Sequence, residues 1–451
     1  MLYNYEDIVL FPKSISRVKS RSECDTSVVL GNHKFRLPVI PANMKSVVDT
    51  ETCSFLASKG LFYVMHRFDI DLLKFCRTMQ EKDQFVSISI GINGDAESTI
   101  RTLKNNHIDP DFITLDVAHA WSVHVEPFVR KIKDNFSSHL IVGNLATCQS
   151  VEDVLFWGAN SVKAGLGGGK CFKPGSLVKT NNGLKKIEDV VIGDEVFTFR
   201  NRFRRVTALY SRLENKRLIS VNGIKCTENH EFYVLHKAYK DLVNDSNLEE
   251  YAEWIAAKDL TKDYFLLKMK FELVEIENIS EESYDGTVYD LEVEDDCSYN
   301  IDGIIVHNSC ITKNKTGFWT PMVSMLLEIR KNFPEAFIIA DGGIRENGDV
   351  AKAIACGASM VMVGSMFSGW DQSAGQVIEI NGAKYKEYYG NASEFTKGYR
   401  KHIEGKKILE PYKGDMTSMI TEMHEDLQSA ISYAGGTKLT DLRNVEIKYI
   451  R

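Results

Sequence analysis

Residues 163–170 read KAGLGGGK and residues 309–317 read SCITKNKTG, and the two stretches join into one glycine-rich loop that ends in a cysteine. Residues 171–308 separate them, and this intervening stretch has a different pattern of short strands and turns. A loop interrupted in this way indicates that one compact domain has been inserted into another. The sequence therefore predicts a domain made of two outer segments and a second domain between them; the three segments are 1–170, 171–308 and 309–451.

The bulk composition is that of a globular protein with an acidic balance. Hydrophobic residues make up 43% of the 451 residues and charged residues 26%, so each domain can bury a core. The formal net charge is −7 and the pI is about 5.9, and the sequence has no long run of lysine or arginine. These values do not favour nucleic acid or a membrane surface as a partner.

The sequence shows no secretion or membrane signal. No apolar stretch reaches the ~18–20 residues that a membrane span requires, and the start MLYNYEDIVLFPKS lacks the apolar region of a signal peptide. The nine cysteines follow neither a disulfide framework nor a metal-ligand spacing. We therefore expect a cytoplasmic protein without a structural metal site.

Eight short apolar runs in the outer segments alternate with stretches of helical length, such as VEPFVRKIKDNF and MVSMLLEIRKNF. This alternation predicts an α/β fold, a TIM (β/α)₈ barrel, while two adjacent doubly wound sheets remain an alternative on periodicity alone. The runs are LPVIPAN (37–43), LFYVMH (61–66), FVSISIG (85–91), FITLDVA (112–118), HLIVGNLA (139–146), SVKAG (161–165), AFIIADGG (336–343) and MVMVGS (360–365).

Polar residues or glycines follow nearly every run, at the end where a barrel carries its active site. They are Asn43, His66, Arg67, Asp116, Asn144, Gly165, Asp341, Gly364 and Ser365. In DGGI (341–344) the carboxylate can hold vicinal hydroxyls, and the glycines let backbone amides approach a phosphate. In VGSM (363–366) the eighth strand is predicted to turn into a helix, whose free N–H groups favour an anion. Together the two loops indicate a nucleoside monophosphate or a sugar phosphate.

Cys310 stands at the tip of the rejoined loop with positive residues nearby, a setting that favours the nucleophilic thiolate. Here the outer segments resemble the IMP dehydrogenase/GMP reductase family, and within it the reductases, because no regulatory module follows the second run. The strings that carry the resemblance are YEDIVLFP, KSRSECDTSV, LPVIPANM, MHRFD, ITLDVAHA, GLGGGK with SCITK, IIADGGIR, GASMVMVGS, YKEYYGNASEF and SAISYAGGTKL.

The resemblance implies NADPH-dependent conversion of GMP to IMP and ammonia in a homotetramer, with attack of Cys310 on purine C2. It assigns proton handling to Thr312 and Glu404. The implied substrate residues are Lys170, Asp341, Gly342, Gly343, Gly364, Ser365, Gly390, Asn391, Ala392 and Gly405. The implied cofactor residues are Ser20, Arg21, Arg67, Asp116, Val117, Ala118, Leu166 and Gly167. The implied ligands of a monovalent cation, potassium, are Gly167, Gly169, Cys310 and Lys313.

The insert begins with Cys171 and ends with His307 and Asn308, followed by Ser309, and these are the groups that a self-excising segment needs. It resembles an intein of the all-β Hint fold in CFKPGSLV, in CTENHEFYV (226–234) and in VYDLEVEDDCSYNIDGIIVHN (288–308). It has no LAGLIDADG-like helix, so we expect no endonuclease activity. The stretch NDSNLEEYAEW (244–254) is the predicted scar of a lost nuclease.

The resemblance implies four steps at the junctions. Cys171 converts the preceding peptide bond into a thioester, assisted by Thr227 and His230. Ser309 then accepts the chain, with help from Asp290. Asn308 cyclises while His307 donates to the carbonyl, and an O-to-N shift joins Lys170 to Ser309. Cys297 stands where many inteins have histidine.

Two alternatives remain open from the sequence. The same insert could interrupt an IMP dehydrogenase, which shares the covalent cysteine intermediate with the reductase. The insert could also be a Hint module that cleaves without ligation and leaves a non-enzymatic remnant.

Overall fold

The chain divides into two compact units in a computed structural model, which describes residues 3–94, 96–165, 171–228, 230–244, 247–294, 296, 298–307, 320–380, 383–389 and 407–449. The described residues of 3–165, 320–380 and 384–449 group into one unit, which we call the outer unit. The described residues of 171–307 group into the other, which we call the insert unit. None of the helices within these ranges combines the length and apolar character needed to span a bilayer.

The N-terminal part of the outer unit contains eight strands and five α-helices. The strands are β1 Ile8–Phe11, β2 Val28–Leu30, β3 His33–Phe35, β4 Val39–Pro41, β5 Ser87–Ile90, β6 Phe112–Asp116, β7 His139–Leu145 and β8 Ser161–Ala164. The helices are α1 Thr50–Ser58, α2 Leu72–Glu81, α3 Ala96–Asn105, α4 Glu126–Asn135 and α5 Cys148–Trp157.

The insert unit is built from twelve strands and one short α-helix among its described residues. The strands are β9 Leu177–Thr180, β10 Gly183–Lys186, β11 Glu195–Phe197, β12 Phe203–Val221, β13 Ile224–Thr227, β14 Glu231–His236, β15 Glu253–Ala256, β16 Tyr264–Leu267, β17 Leu273–Glu275, β18 Ile279–Val293, β19 Ser298–Ile301 and β20 Ile304–His307. The helix is α6 Leu248–Tyr251.

The C-terminal part of the outer unit adds six strands and three α-helices. The strands are β21 Ile338–Asp341, β22 Met360–Val363, β23 Val377–Ile380, β24 Ala383–Tyr389, β25 Lys407–Pro411 and β26 Glu446–Tyr449. The helices are α7 Met322–Asn332, α8 Asn347–Ala355 and α9 Met416–Tyr433. The 3-10 turns of the chain are Tyr5–Asp7, Arg21–Glu23, Ile187–Asp189, Lys237–Tyr239, Ala257–Asp259, Met269–Phe271, Ser365–Phe367 and Leu439–Asn444.

Seven parallel strands of the outer unit form one continuous sheet in the order β4, β22, β21, β8, β7, β6, β5. Seven of the eight predicted runs are therefore strands. The run 61–66 joins the sheet through a single parallel bridge between Met65 and Ile88. Because the first strand pairs with the last, the alternative of two adjacent doubly wound sheets is wrong, and the architecture is TIM-barrel-like.

The helices that pack on this sheet follow the predicted periodicity. VEPFVRKIKDNF forms α4 and buries Val129 and Ile132. MVSMLLEIRKNF forms α7, whose buried side chains include Leu326 and Ile329. Strands β4, β5, β8 and β22 are buried at every position, because side chains fill one face and helices cover the other.

An aromatic cluster lies at the amino-terminal end of the parallel strands. Phe35 of β3 packs against Phe62 at 5.1 Å between ring centroids, and Phe62 packs against Phe112 at 4.9 Å. Phe112 is the first residue of β6, so this cluster fills the end of the sheet opposite to the strand ends that carry Asp116 and Asp341.

The prediction that the eighth strand turns directly into a helix at VGSM is wrong. Ser365–Phe367 form one 3-10 turn, and Ser368 donates its hydroxyl back to the carbonyl of Ser365 at 2.9 Å. Gly369 follows with a φ of +83°, and a Cβ there would lie 2.6 Å from the carbonyl oxygen of Pro411. This left-handed residue ends the turn and directs the chain toward β25.

The insert unit is an antiparallel sheet whose longest component is a two-stranded ribbon. Residues Val206–Val221 of β12 pair with Ile279–Val293 of β18 along their whole length. Its core includes Phe172, Val178 and Phe232, all fully buried. The predicted scar at 244–254 contains α6 and the beginning of β15.

Candidate active site

Lys163 is the centre of a buried charge cluster at the carboxyl ends of the parallel strands. Its ammonium nitrogen lies 2.6 Å from Oδ2 of Asp341 and 3.2 Å from Oδ1 of Asp116. The three residues come from β8, β21 and β6. Adjacent parallel strands end at one edge of the sheet, and this geometry brings together residues that are far apart in the chain.

Asn144 completes this cluster from β7. Its Nδ2 donates to Oδ2 of Asp341 at 2.9 Å and to the carbonyl of Gly165 at 2.9 Å, and its Oδ1 accepts from Lys163. Asn43, after β4, donates to Oδ2 of Asp116 at 3.1 Å. Five of the predicted strand-end residues therefore belong to one hydrogen-bond network: Asn43, Asp116, Asn144, Gly165 and Asp341.

Lys163 stays protonated in this cluster. Its side chain is only 4% exposed, and burial alone would lower the pKa of the ammonium group. The carboxylates of Asp341 and Asp116 outweigh burial and raise the pKa of Lys163 above its usual value. The two carboxylates remain partly exposed, so their outer oxygens can accept hydrogen bonds from a bound ligand.

Lys163 is the residue of this cluster that sequence reasoning missed. Lys163 lies in the apolar run SVKAG and begins the stretch KAGLGGGK, and neither pattern assigns it a role. The available signal was a lysine between Val162 and Ala164, two positions that are fully buried. Lysine is almost never fully buried unless it is paired, so a lysine inside a buried parallel strand indicates a partner carboxylate.

Gly165 allows β8 and β21 to meet closely beneath this cluster. Its φ is +143°, and a Cβ at this position would lie 2.1 Å from the carbonyl oxygen of Asp341 and 3.1 Å from Sδ of Met322. Any other residue would push the end of β21 away and move the Asp341 carboxylate with it.

The two glycines of the DGGI loop, predicted to let backbone amides approach a phosphate, have left-handed backbone conformations. Gly342 and Gly343 have φ values of +113° and +81°. The space that a Cβ of Gly342 would occupy is open, whereas a Cβ of Gly343 would lie 3.3 Å from the ring of Tyr5. Gly364 precedes the 3-10 turn that begins with Ser365.

Arg67 lies over the end of β5. A Cβ on Gly91 would lie 2.9 Å from a guanidinium nitrogen of Arg67, and the guanidinium stacks on the ring of Phe68 at 4.6 Å. Its Nε is buried and makes no hydrogen bond within the described residues. His66, beside it, accepts from the N–H of Phe68 at 3.2 Å, and burial lowers the pKa of His66 to about 4.

Ser20 and Arg21 lie against α9. The Arg21 guanidinium donates to Ser429 Oγ at 3.1 Å and to the hydroxyl of Tyr433 at 2.9 Å. Ser20 caps the 3-10 turn Arg21–Glu23. Val117 and Ala118 follow Asp116 directly, and the N–H of Val117 donates to the carbonyl of Gly143 at 2.9 Å. Arg21 and Asp116 are thus held by different elements.

Many of the predicted site residues lie outside the described residues. They are Leu166, Gly167, Gly169, Lys170, Cys297, Asn308, Ser309, Cys310, Thr312, Lys313, Gly390, Asn391, Ala392, Glu404 and Gly405. The rejoined loop with Cys310 and all four implied ligands of the monovalent cation belong to this group.

The insert unit has its own cluster around Phe172, the second residue of the insert. Phe172 forms antiparallel bridges with Tyr289 of β18 on one side and with Cys226 of β13 on the other. The N–H of Phe172 donates to the carbonyl of Tyr289 at 2.7 Å, and Tyr289 returns a bond of 2.7 Å. Because Phe172 pairs with both strands, the preceding residue, Cys171, is held between β13 and β18.

Cys171 therefore lies opposite one predicted splicing residue on each side. Continuation of the antiparallel register sets it beside Thr227 of β13 and beside Asp290 of β18. The N–H of Cys171 donates to Thr227 Oγ1 at 3.0 Å, and the N–H of Thr227 donates to the Cys171 carbonyl at 2.9 Å. All three residues are buried.

The two histidines predicted for the junctions are also buried. His230 packs on Phe172 with 3.8 Å between ring centroids, and its N–H donates to the carbonyl of Thr227 at 2.9 Å. His307 ends β20 and packs edge-on against Trp254 with 4.9 Å between centroids. The structure thus brings Cys171, Thr227 and His230 into one cluster.

Comparison with known proteins identifies the family of the outer segments. The family model of the IMP dehydrogenase / GMP reductase domain matches residues 2–174 and 303–451. The chain belongs to the IMP dehydrogenase/GMP reductase family. The family model does not match residues 175–302. These residues lie inside the predicted insert, 171–308.

Curated relatives are similar over nearly the whole length of this family member. GMP reductase of Chromobacterium violaceum is 35% identical over 447 residues, which covers 98% of this chain and 96% of the relative. GMP reductases of an Acidovorax species and of Variovorax paradoxus are each 33% identical over 446 residues, covering 98% of this chain and 94% of the relative.

Proposed function

We propose that the outer segments, once joined, form a GMP reductase that converts GMP to IMP and ammonia with NADPH. The observation that carries this proposal is family membership together with relatives at 33–35% identity that are named GMP reductase. The buried cluster around Lys163 supports it, since partly exposed carboxylates at the strand ends are suited to hold the hydroxyls of a nucleotide.

In this proposal Cys310 is the nucleophile. Its thiolate adds to purine C2, the 2-amino group leaves as ammonia, and the thiol leaves when C2 has been reduced. Thr312 and Glu404 handle the proton that accompanies ammonia departure. Asp341 accepts hydrogen bonds from the ribose, and the amides near Gly342 and Gly343 face the phosphate.

The proposed cofactor, NADPH, supplies the hydride when it is bound. The described residues fit such a group, because Arg67 carries a buried Nε without a hydrogen-bond partner among them, beside the strand end of β5. Asp116 presents a partly exposed carboxylate to the same edge of the sheet. These residues would bind and orient the cofactor. The proposed homotetramer and the monovalent cation rest on the resemblance alone.

Substrate preference of the purified ligated protein tests this function. We expect oxidation of NADPH with GMP and no reduction of NAD with IMP. Cys310→Ala should lose activity to background, while Cys148→Ala, a half-buried thiol on α5, should keep it. Turnover of IMP with NAD instead would replace the reductase by the IMP dehydrogenase alternative. Retained GMP turnover by Cys310→Ala would remove the proposed nucleophile.

We further propose that residues 171–308 excise themselves and join Lys170 to Ser309. The observation that favours this second function is the cluster of Cys171 with Thr227 and His230, in which Thr227 contacts both the N–H and the carbonyl of Cys171. The family model leaves 175–302 unmatched, as expected for an insert, although the alignments with the GMP reductases cover 98% of the chain and continue across this stretch. The Hint-fold assignment and the absence of an endonuclease activity belong to the same proposal.

The chemistry of excision is balanced without an added reagent. The Cys171 thiol attacks the Lys170 carbonyl, which breaks the Lys170–Cys171 peptide bond, frees the Cys171 amine and forms a thioester; Ser309 Oγ then takes the acyl group and frees the thiol. Asn308 cyclises through its side-chain amide, which breaks the peptide bond to Ser309 and releases the insert. The ester then rearranges to the Lys170–Ser309 peptide bond.

Intact mass of the expressed chain tests excision. The 51.0 kDa chain should give two products, residues 1–170 joined to 309–451 and the free segment 171–308. Cys171→Ala should stop product formation, and Ser309→Ala should stop ligation. An unchanged chain would contradict excision, and three separate fragments would support the alternative of cleavage without ligation.

A further inference from the structure

The phenol of Tyr299 makes a buried hydrogen bond that none of the proposed steps uses. Its hydroxyl donates to Oδ1 of Asp290. Tyr299 has no exposed surface, and Asp290 is 1% exposed. Because both groups are shielded from water, no water molecule competes for this hydrogen bond, and the bond restricts the orientation of both side chains.

We propose that Tyr299 is the positioning residue that aims the Asp290 carboxyl at the upstream splice junction. The inference rests on the proposed excision of residues 171–308. The resemblance to inteins gives Asp290 a direct role in transfer of the chain to Ser309, whereas Tyr299 would act by orienting the Asp290 carboxyl.

The first argument is the place of Asp290 in the sheet. Tyr289, the preceding residue, is paired with Phe172, so Asp290 continues this register to the position opposite Cys171. The side chain of Asp290 is thus next to the junction, and its rotamer decides whether the carboxyl faces that junction. The hydrogen bond from Tyr299 to Oδ1 favours one rotamer of the Asp290 side chain.

The second argument is the origin of Tyr299 on the hairpin that ends the insert. Tyr299 lies on β19 and pairs with Val306 of β20, while its neighbour Ser298 pairs with His307. The hairpin therefore contains His307, which is next to the downstream junction. The Tyr299 side chain of the same hairpin contacts Asp290, which is paired opposite Cys171 at the upstream junction. The Tyr299–Asp290 bond ties together the two ends of the insert on which ligation depends.

The third argument is that the phenol is always a donor. Burial, followed by the nearby charge of Asp290, raises the pKa of Tyr299 well above its usual value. A neutral phenol can donate a hydrogen bond to the Asp290 carboxylate. Its ring is fixed as well, since it packs edge-on against Phe172 with 6.1 Å between centroids.

Separate measurement of the two chemical steps tests this role. Tyr299→Phe keeps the ring and removes the hydroxyl. Cleavage induced by an added thiol reports thioester formation by Cys171, and appearance of the ligated product reports transfer to Ser309. We expect ligation to slow about tenfold or more, as for loss of a buried hydrogen bond to a charged group. Thiol-induced cleavage should stay within about twofold of the parent.

The matched control is Tyr289→Phe, since Tyr289 precedes Asp290 on the same strand and its side chain points to the opposite face. It should ligate at the parental rate. The double variant Tyr299→Phe with Asp290→Asn should ligate no more slowly than Asp290→Asn alone, because the phenol acts only through that carboxyl. This cycle also detects a purely structural effect, in which the two losses would add.

The outcomes separate the inference from the proposed function. The role of Tyr299 would be overturned if Tyr299→Phe ligated at the parental rate, or if its loss of ligation rate added fully to that of Asp290→Asn. The excision proposal would still stand in both cases. An equal loss of cleavage and ligation in Tyr299→Phe would also overturn it, since it would indicate general loss of the fold. If the parent chain forms no product and no thiol-sensitive junction, the excision proposal fails, and the inference fails with it.

Discussion

The ammonium group of Lys163 lies 2.6 Å from a carboxylate oxygen of Asp341 although the two residues belong to different segments of the sequence. Residues 171–308 separate these segments in the chain. The pair is formed by the hydrogen-bonded strands β8 and β21, whose register sets Ala164 beside Ala340. The outer unit therefore contains its charge cluster although residues 171–308 lie between its two segments in the chain.

Replacement of this buried cation should destabilise the outer unit strongly. Lys163→Met keeps the length of the side chain and leaves Asp341 and Asp116 without their shared partner. We expect a loss of about 3–5 kcal/mol in the free energy of unfolding, measured by chemical denaturation of the full chain. Lys131→Met removes an exposed partner of Glu97 and should cost less than about 1 kcal/mol. Equal losses in both variants would contradict the central role of Lys163.

A side chain at position 165 should prevent the close packing of the end of β8 against the end of β21. The methyl group of Gly165→Ala would lie 2.1 Å from the carbonyl oxygen of Asp341, in a backbone conformation that favours glycine. We expect a loss of at least about 3 kcal/mol in the free energy of unfolding. Gly94→Ala is the control, because its Cβ meets nothing within 4 Å. A stable Gly165→Ala protein would show that the strand ends can separate without cost.

Acid should destabilise the protein through His66 before the carboxylates are protonated. Burial lowers the pKa of His66 to about 4, whereas in the unfolded chain histidine titrates near ~6.5. Between these values the unfolded state binds more protons, so stability falls as the pH falls, by up to about 3 kcal/mol for this group. Denaturation at pH 7 and pH 5 should show a smaller difference for His66→Asn than for the parent.

The control for this pH effect is His124→Asn, since the His124 side chain is exposed. It should leave the difference between pH 7 and pH 5 unchanged. An equal pH dependence in the parent and in His66→Asn would mean that other groups account for the acid sensitivity. His139 is a second contributor, because burial lowers its pKa to about 4 as well.

Loss of the Thr227 hydroxyl should slow the first step of excision. Thr227 Oγ1 accepts a hydrogen bond from the N–H of Cys171 at 3.0 Å, and Thr227→Val removes it with little change in volume. We expect thiol-induced cleavage at the upstream junction to slow about tenfold. Thr180→Val is the control, since Thr180 is buried in the same unit and its hydroxyl bonds within the adjacent turn, where it donates to the carbonyl of Gly183 and accepts from the N–H of Asn182. Unchanged cleavage in Thr227→Val would exclude a role for the hydroxyl.

Periodicity was sufficient to predict the parallel strands of the outer unit's main sheet and two of its helices. Buried parallel strands and amphipathic helices have local signatures, so seven of the eight runs, α4 and α7 were identified correctly. The turn at Ser365–Phe367 was misassigned as the start of a helix, because its end depends on the close approach of Gly369 to Pro411, which is distant in the sequence.

The sequence by itself determined the family, a TIM-barrel-like fold built from two outer segments, and the positions of Asn43, Asp116, Asn144 and Asp341 at the ends of parallel strands. Only the tertiary structure decided that Lys163 is the partner of two carboxylates, that Phe172 pairs with two strands at once, and that Tyr299 binds Asp290. The reason is physical: residue type and spacing reflect local conformation, whereas the pairing of buried polar groups depends on strand register between distant segments.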